Sequence, residues 1–350
     1  MNQTNNIQNN SCVYYHIDEY ESHIPQYKIH KVLKYDFWLE NEIKNQKKII
    51  NIDNWQDFFY TFQSASKLEL TNNVININNQ KELVNDNNVN NIQLLEYNDL
   101  ELKPFKRYLK QLSNPTKYIS SIIKYYKDVL QSLLLLDANK LVHNNITFDT
   151  LEIDKNENIL LSNFSCSINL ESLNTTEYIY SFISSYEPEY IEWAPELHII
   201  SYIVSKNIHS LSNYNLEIIM QNIIDNNHIL KTFGNPIIYI YKTEALNYFE
   251  KYVNKDKHFI INDIFKHHNT WDNYSLSILF LRILISINNG VETQNKFILY
   301  FMKLLVTNIH LSPVKRLSLQ QSFNNYENIL NTLKIDDYKD LINKHKLMLA

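Results

Sequence analysis

The sequence predicts an α+β chain: a small, strand-rich first part followed by a larger, helix-rich second part. Three observations carry this. Before about Asn98 the apolar residues fall in short alternating runs separated by Asn-rich turns, with one helical segment among them. After Pro104 the spacing becomes helical, in Phe105–Leu112 and in Tyr118–Leu136, the second ending in the apolar LQSLLLLDANKL. From Glu196 onward helix-compatible segments dominate. Strands grouped first and helices second is the order of a two-part α+β protein, and 350 residues are enough for such a chain to bury a core.

Residues 1–12 are polar and Asn-rich and are expected to form a disordered tail. The first part then spans 13–98. Its helix is expected over Tyr35–Ile50, where Phe37, Leu39, Ile43 and Ile49 form a partly amphipathic face. Strands are expected at Phe58–Gln63, Lys67–Leu70, Val74–Ile77 and Asn91–Tyr97, with Asn72–Asn91 a low-complexity loop or irregular hairpin. The second part spans 99–350.

Bulk composition narrows the function classes. A net charge of −5 gives no global basic field, so no nucleic-acid partner is expected. The two cysteines, Cys12 and Cys166, are far apart, which fits a reducing compartment better than a disulfide framework. The N-terminus has neither a basic nor an apolar leader region, and the most apolar run, Ser277–Ile287, is interrupted by Arg282 and falls short of a membrane span. A soluble, intracellular protein with no membrane partner is expected. Heavy use of Asn, Ile, Tyr and Lys reflects A/T-rich codons. Asp codons share that bias, so composition explains Asp-to-Asn replacement poorly.

Chemistry-bearing motifs concentrate between His143 and Ser165. The first reads His143-Asn144-Asn145-Ile146-Thr147-Phe148-Asp149-Thr150 and the second Asn163-Phe164-Ser165. Ala194-Pro195-Glu196, Asp272-Asn273-Tyr274-Ser275-Leu276 and Ser312-Pro313-Val314-Lys315-Arg316 follow in order. Upstream lie Glu42, on the expected helix, and Leu94-Leu95-Glu96-Tyr97 at the end of the first part. In this order the segments resemble a protein kinase: the H-R-D catalytic loop, the D-F-G triplet, the A-P-E, the start of the central helix of the larger lobe, and the P-x-x-R segment. The chain is similar to the divergent serine/threonine kinase-like proteins of giant DNA viruses. The resemblance runs from about Glu42 to Arg316 and implies a two-lobed fold, with an insertion at about 197–270. It makes Leu95 the gatekeeper, Glu96 and Tyr97 the hinge, and Glu196 with Arg316 a partly buried structural pair. His143 and Phe164 take positions that pack between the lobes in that family. Trp193 and Trp271 read as packing anchors.

The chemistry of phosphoryl transfer is absent from the matching positions. The only glycines are Gly234 and Gly290, so no glycine-rich phosphate loop exists in residues 1–100. Among Lys28, Lys31 and Lys34, Lys31 is the preferred counterpart of the nucleotide-binding lysine, against a solvated basic stretch beside Glu40 and Glu42. Asn145 stands at the base, and an amide cannot accept a proton near neutral pH. A positioned base contributes roughly 10²–10⁴ in rate. Asn163 and Thr150 stand at the two metal positions and Thr147 at the loop lysine, and neutral oxygens hold Mg²⁺ poorly. Asp149 is the one carboxylate that a shifted register could recruit. Gln46, one turn after Glu42, departs from the apolar residue expected there. The stretch bearing Thr175, Thr176, Tyr178, Tyr180, Ser184 and Ser185 reads as an exposed polar loop.

The expectation is therefore a pseudokinase, a kinase-like fold serving as a binding or regulatory module for a protein partner. It needs no cofactor, at most binds ATP weakly, and is not expected to bind Mg²⁺. The alternatives are a divergent active serine/threonine kinase using Asp149 or another carboxylate, and a virion or scaffold component.

Overall fold

The computed structural model describes residues 28–34, 36–67, 92–98, 100–172, 186–288 and 295–332, with Lys334, Asp337, Lys339 and Ile342. The expected tail 1–12, the strand at Val74–Ile77, the loop Asn72–Asn91, Cys12, Gly290 and the polar stretch Thr175–Ser185 lie outside the described residues. In chain order the elements are β1 (Lys28–Lys34), α1 (Phe37–Ile49), β2 (Phe59–Tyr60), β3 (Ser64–Lys67), β4 (Ile92–Asn98), β5 (Lys103–Pro104), α2 (Phe105–Gln111) and α3 (Pro115–Ala138). Then come β6 (Leu141–Val142), β7 (Leu151–Ile153), β8 (Ile159–Ser162), β9 (Ile168–Asn169), α4 (Pro195–Ser205) and α5 (Asn213–Asn226). The last are α6 (His228–Lys231), α7 (Asn235–Phe249), α8 (Lys257–Ile264), α9 (Trp271–Asn288), α10 (Lys296–Asn308) and α11 (Leu319–Thr332).

The result is a mixed α+β chain, with a small strand-rich N-terminal region and a helical C-terminal part. It divides into two compact units, one of residues 1–103 with 152–167, the other of 104–151 with 168–350. The first unit therefore recruits a stretch that in sequence lies inside the second.

In the first unit, β4 is central to an antiparallel sheet of order β1-β4-β3. A second sheet places β2 parallel to β8, with Phe59 opposite Leu161. The turn into β8 is built by Asp154, whose Oδ1 accepts the N–H groups of Asn156 (2.9 Å) and Asn158 (2.7 Å). Leu39, Tyr60, Phe62, Leu95, Tyr97 and Leu160 form the buried core, with Ile43, Leu100 and Leu102 packed against it. The Tyr60 and Tyr97 rings are 5.3 Å apart, and Phe62 meets Tyr97 edge-on at 5.9 Å.

Helix α1 begins where Asp36 caps the Leu39 N–H at 2.8 Å, and it carries Lys47 and Lys48 in its last turn, where cations suit the helix dipole. Its expected apolar face is only partly used. Leu39 and Ile49 are buried, while Phe37 and Ile43 are half-buried. The buried face is instead polar, with Asn41, Glu42, Asn45 and Gln46 at adjoining i and i+4 positions. The helix thus seats hydrogen-bonding side chains against the unit's interior.

In the second unit, α3 is started by Asn114, whose side chain accepts from the Thr116 and Lys117 N–H groups, with Pro115 in the first turn. At its centre Tyr126 is surrounded by Phe280 of α9, Phe301 of α10 and Tyr326 of α11, with ring centroids 5.0, 4.7 and 4.7 Å away. The 197–270 interval is filled by helices, from α4 to α8. Asp263 of α8 ties that helix to the turn after α7, bonded by Lys251 (2.7 Å) and the Tyr252 hydroxyl (3.0 Å), and by Lys266 (2.8 Å) just beyond α8. Burial pushes the Asp263 carboxyl up, but these donors outweigh it and hold it well below the usual carboxylate range. Among the described residues, no helix is long and apolar enough to cross a membrane.

Candidate functional site

The loop His143–Thr150 follows β6, which pairs antiparallel with β9, Leu141 opposite Asn169. Its start is gripped by Asp272, at the first turn of α9. Asp272 Oδ2 accepts the His143 N–H and Oδ1 the Asn144 N–H, both at 2.7 Å. Asn144 has φ +61°, a left-handed conformation that Asn tolerates better than most residues. Asp272 is buried, and that burial pushes its carboxyl up to about 7, against the lowering effect of the Asn144 and His143 N–H groups.

Past this grip, the loop satisfies itself. The Tyr190 hydroxyl donates to Asn145 Oδ1, and Tyr190 in turn stacks edge-on with Trp193 at 5.3 Å. Thr147 caps the short turn Phe148–Thr150, accepting the Asp149 N–H on its Oγ1 at 3.2 Å. Thr150 Oγ1 accepts the Thr147 N–H at 3.0 Å and lies 3.0 Å from the Asn145 carbonyl oxygen, to which it donates. The side chains of Asn145, Thr147 and Thr150 are thus engaged in building the loop and its surroundings. Asp149 is exposed on the outside of that turn, with Phe148 stacked on Phe105 at 6.0 Å.

The second motif lies in the first unit. Asn163 has φ +61°, and its Oδ1 accepts the Ser165 hydroxyl at 2.6 Å. Phe164 is fully buried and meets Phe59 edge-on at 5.8 Å. The Ser167 N–H closes the turn on the Phe164 carbonyl at 3.1 Å. Two α1 side chains grip this ribbon from one face. Asn41 Nδ2 donates to the carbonyls of Ser165 (2.8 Å) and Ser167 (2.9 Å). Asn45 Nδ2 donates to those of Phe164 (3.2 Å) and Ser167 (2.9 Å). Gln46 Nε2 donates to the Phe62 carbonyl at 2.9 Å, so the residue that departs from the kinase pattern has a structural job. Sequence reasoning overlooked Asn41 and Asn45. Their signal is the i, i+4 spacing of amides on a helix whose apolar stripe is too thin to bury alone.

On β4 the positions compared with a hinge are bonded on both edges. The β1 ladder runs from Lys34↔Ile92 to Lys28↔Asn98 and sets Lys31 opposite Leu95. On the other edge, the Glu96 carbonyl accepts the Gln63 N–H at 2.6 Å, and Glu96 Oε2 accepts the Ser64 hydroxyl at 2.9 Å. The Asn98 carbonyl accepts the Tyr60 hydroxyl at 3.3 Å. Leu95 is fully buried and Tyr97 belongs to the same core; Glu42 is buried on α1.

In the second unit, Glu196 and Arg316 form an ion pair with both side chains fully buried. Trp271 Nε1 donates to Glu196 Oε1 at 2.9 Å, Arg316 Nε to Thr270 Oγ1 at 3.2 Å, and the guanidinium lies 5.6 Å from the centre of the Tyr274 ring. The residues expected to matter therefore gather into four groups. His143 joins Asp272, Asn145 joins Thr147 and Thr150, Glu196 joins Arg316, and Asn163 and Phe164 join α1. Among the described residues, no three His, Cys, Asp or Glu side chains are arranged to hold a metal ion. In comparisons with known proteins, the chain matches no family model and no curated protein.

Two outcomes follow from this geometry. Arg316→Met or Glu196→Gln alone should lower the unfolding free energy by about 3–5 kcal/mol, because each strands a buried partner. The double variant should lose less than the sum, as read from a double-mutant cycle in denaturant. For Asp272, a folded-state pKa above the unfolded value means that its contribution is fully present below about pH 4. That contribution is lost as pH rises through about 7. The stability gap between the wild type and Asp272→Asn should therefore narrow from pH 4 to pH 8 in parallel unfolding titrations.

Proposed function

We propose that this chain is a pseudokinase: a protein-kinase-like fold that serves as a binding or regulatory module without transferring phosphate. Support for the fold begins with the order of elements. A helix, α1, follows the edge strand of a β1-β4-β3 sheet, and the loop, ribbon, A-P-E, Asp272 and Arg316 follow in kinase order. The Glu196–Arg316 pair and the Asp272 grip on the loop backbone are further support.

One observation carries the loss of chemistry. The side chains at the base, loop-lysine and both metal positions, Asn145, Thr147, Thr150 and Asn163, are all neutral and all hydrogen-bonded, Asn145 to Tyr190 and the other three within their own segments. Phosphoryl transfer needs anionic oxygens to hold Mg²⁺ and a base to orient the acceptor, and these groups supply neither. At β4 the Glu96 and Asn98 carbonyls accept from Gln63 and Tyr60. What remains for function is surface, and loss of a catalytic site leaves a protein-binding surface intact.

The test is a nucleotide titration with and without Mg²⁺, read by thermal shift, together with a label-transfer assay. Mg²⁺ is expected to add nothing to any shift caused by ATP, and no label should transfer. Mg²⁺-dependent stabilisation with label transfer abolished by Asp149→Ala would instead establish the divergent kinase, because Asp149 is the exposed carboxylate next to Thr150.

A further inference from the structure

In the ribbon Asn163–Ser167, three backbone carbonyls point at one face of α1, and the four N–H bonds of two side-chain amides meet them. Asn41 and Asn45 are one helical turn apart and almost wholly buried, at 2% and 1% exposure. A primary amide has two N–H donors. Asn41 uses both on Ser165 and Ser167, and Asn45 uses both on Phe164 and Ser167. The Ser167 carbonyl, with its two lone pairs, takes one from each. An aliphatic side chain at either position would remove two of the four donors that hold the ribbon, and an ionised carboxylate would face the carbonyls with acceptors only. Inside the ribbon, Asn163 accepts from Ser165 and the Ser167 N–H returns to Phe164. Phe164 is buried against Phe59 beneath it.

We infer that Asn41 and Asn45 are a clamp that holds the ribbon in one closed conformation without metal or nucleotide. In an enzyme using this segment to carry a metal, ligand binding would have to fix the ribbon. Here the helix fixes it through bonds that are complete in the free protein. Helix and ribbon consequently move as one element, and the ribbon does not act as a switch. The inference rests on the proposed function only in treating Asn163–Ser165 as the counterpart of a metal-carrying triplet. The clamp itself stands on the four hydrogen bonds.

Cys166 lies in the middle of the ribbon, half-buried and in no disulfide, and so reports its opening. The experiment uses the full chain with Cys12→Ser and follows iodoacetamide alkylation of Cys166 by intact-mass spectrometry. In the wild-type ribbon alkylation should be slow without any ligand, and addition of Mg²⁺ and ATP should leave it unchanged. Asn41→Ser and Asn45→Ser, as single variants, should each raise the rate by about tenfold or more, the change expected from two lost hydrogen bonds. A second probe, Ser162→Cys in a Cys166→Ser background, reads opening of β8 and should change far less. If the Ser162→Cys probe accelerates as much as Cys166, the unit opens as a whole and the clamp is refuted, as it is if neither variant changes the Cys166 rate. If Mg²⁺ and ATP slow the wild-type rate, the ribbon is closed by ligand and the clamp is refuted; if the rate is unchanged by them but label transfer is seen, the clamp survives and the non-catalytic reading fails.

Discussion

A single buried carboxylate at the start of α9 sets the loop from which the rest of the second unit's site is built. Asp272 accepts two successive backbone N–H groups, and those bonds turn the chain at Asn144 into its left-handed conformation. Once that turn is fixed, Asn145 reaches the Tyr190 hydroxyl, and Thr147 and Thr150 fall at the ends of a short cap. Burial disfavours the charged form of Asp272, and the two N–H donors offset part of that cost. The grip is backbone-directed, so it is indifferent to the side chains that the loop carries.

In the first unit, too, buried and half-buried polar side chains serve as structural groups. A buried amide or hydroxyl must be hydrogen-bonded, or it costs about 1–3 kcal/mol. Asn163 meets that requirement through Ser165, the Asn41 and Asn45 amide nitrogens through the ribbon, and Gln46 through Phe62, while the Asn45 Oδ1 is buried without a partner. Neutral amides suit this role better than carboxylates, because they donate as well as accept and carry no charge to desolvate. An amide at Asn145 and at Asn163 is therefore favourable to packing. Glu196 and Arg316 are the exception, a retained charge pair, and they hold charge in the interior only as a mutually bonded unit.

Much of this was legible in the sequence where a long periodic pattern or a turn residue acted locally. Helix α3 forms over Pro115–Ala138 where the period indicates Tyr118–Leu136, and β4 over Ile92–Asn98 where alternation indicates Asn91–Tyr97. Shorter elements shifted: the strand expected at Phe58–Gln63 contracts to Phe59–Tyr60, and one is already present at Ser64–Lys67. Their bounds are set by pairing with β8 and β4, partners far away in the chain. The joining of Glu152–Ser167 to the first unit has no local signal for the same reason. On α1 the apolar stripe pointed to Leu39 and Ile49 but gave no hint that Asn41, Asn45 and Gln46 are buried. A polar residue looks solvent-facing in sequence unless its acceptors are known. Tyr190 escaped notice likewise, since only the folded loop brings it to Asn145.

On the proposed reading, the side chains of Asn145, Thr147, Thr150 and Asn163 build the fold instead of holding a ligand. That reading is tested most directly at Thr150, whose hydroxyl is buried and shared between the Thr147 N–H and the Asn145 carbonyl. Thr150→Val keeps the shape and removes the hydroxyl, and the measurement is its unfolding free energy beside its thermal response to ATP with Mg²⁺. A loss of about 1–3 kcal/mol in stability with an unchanged ligand response is the predicted result. Unchanged stability with a lost Mg²⁺-dependent response would identify Thr150 as a metal ligand and contradict it.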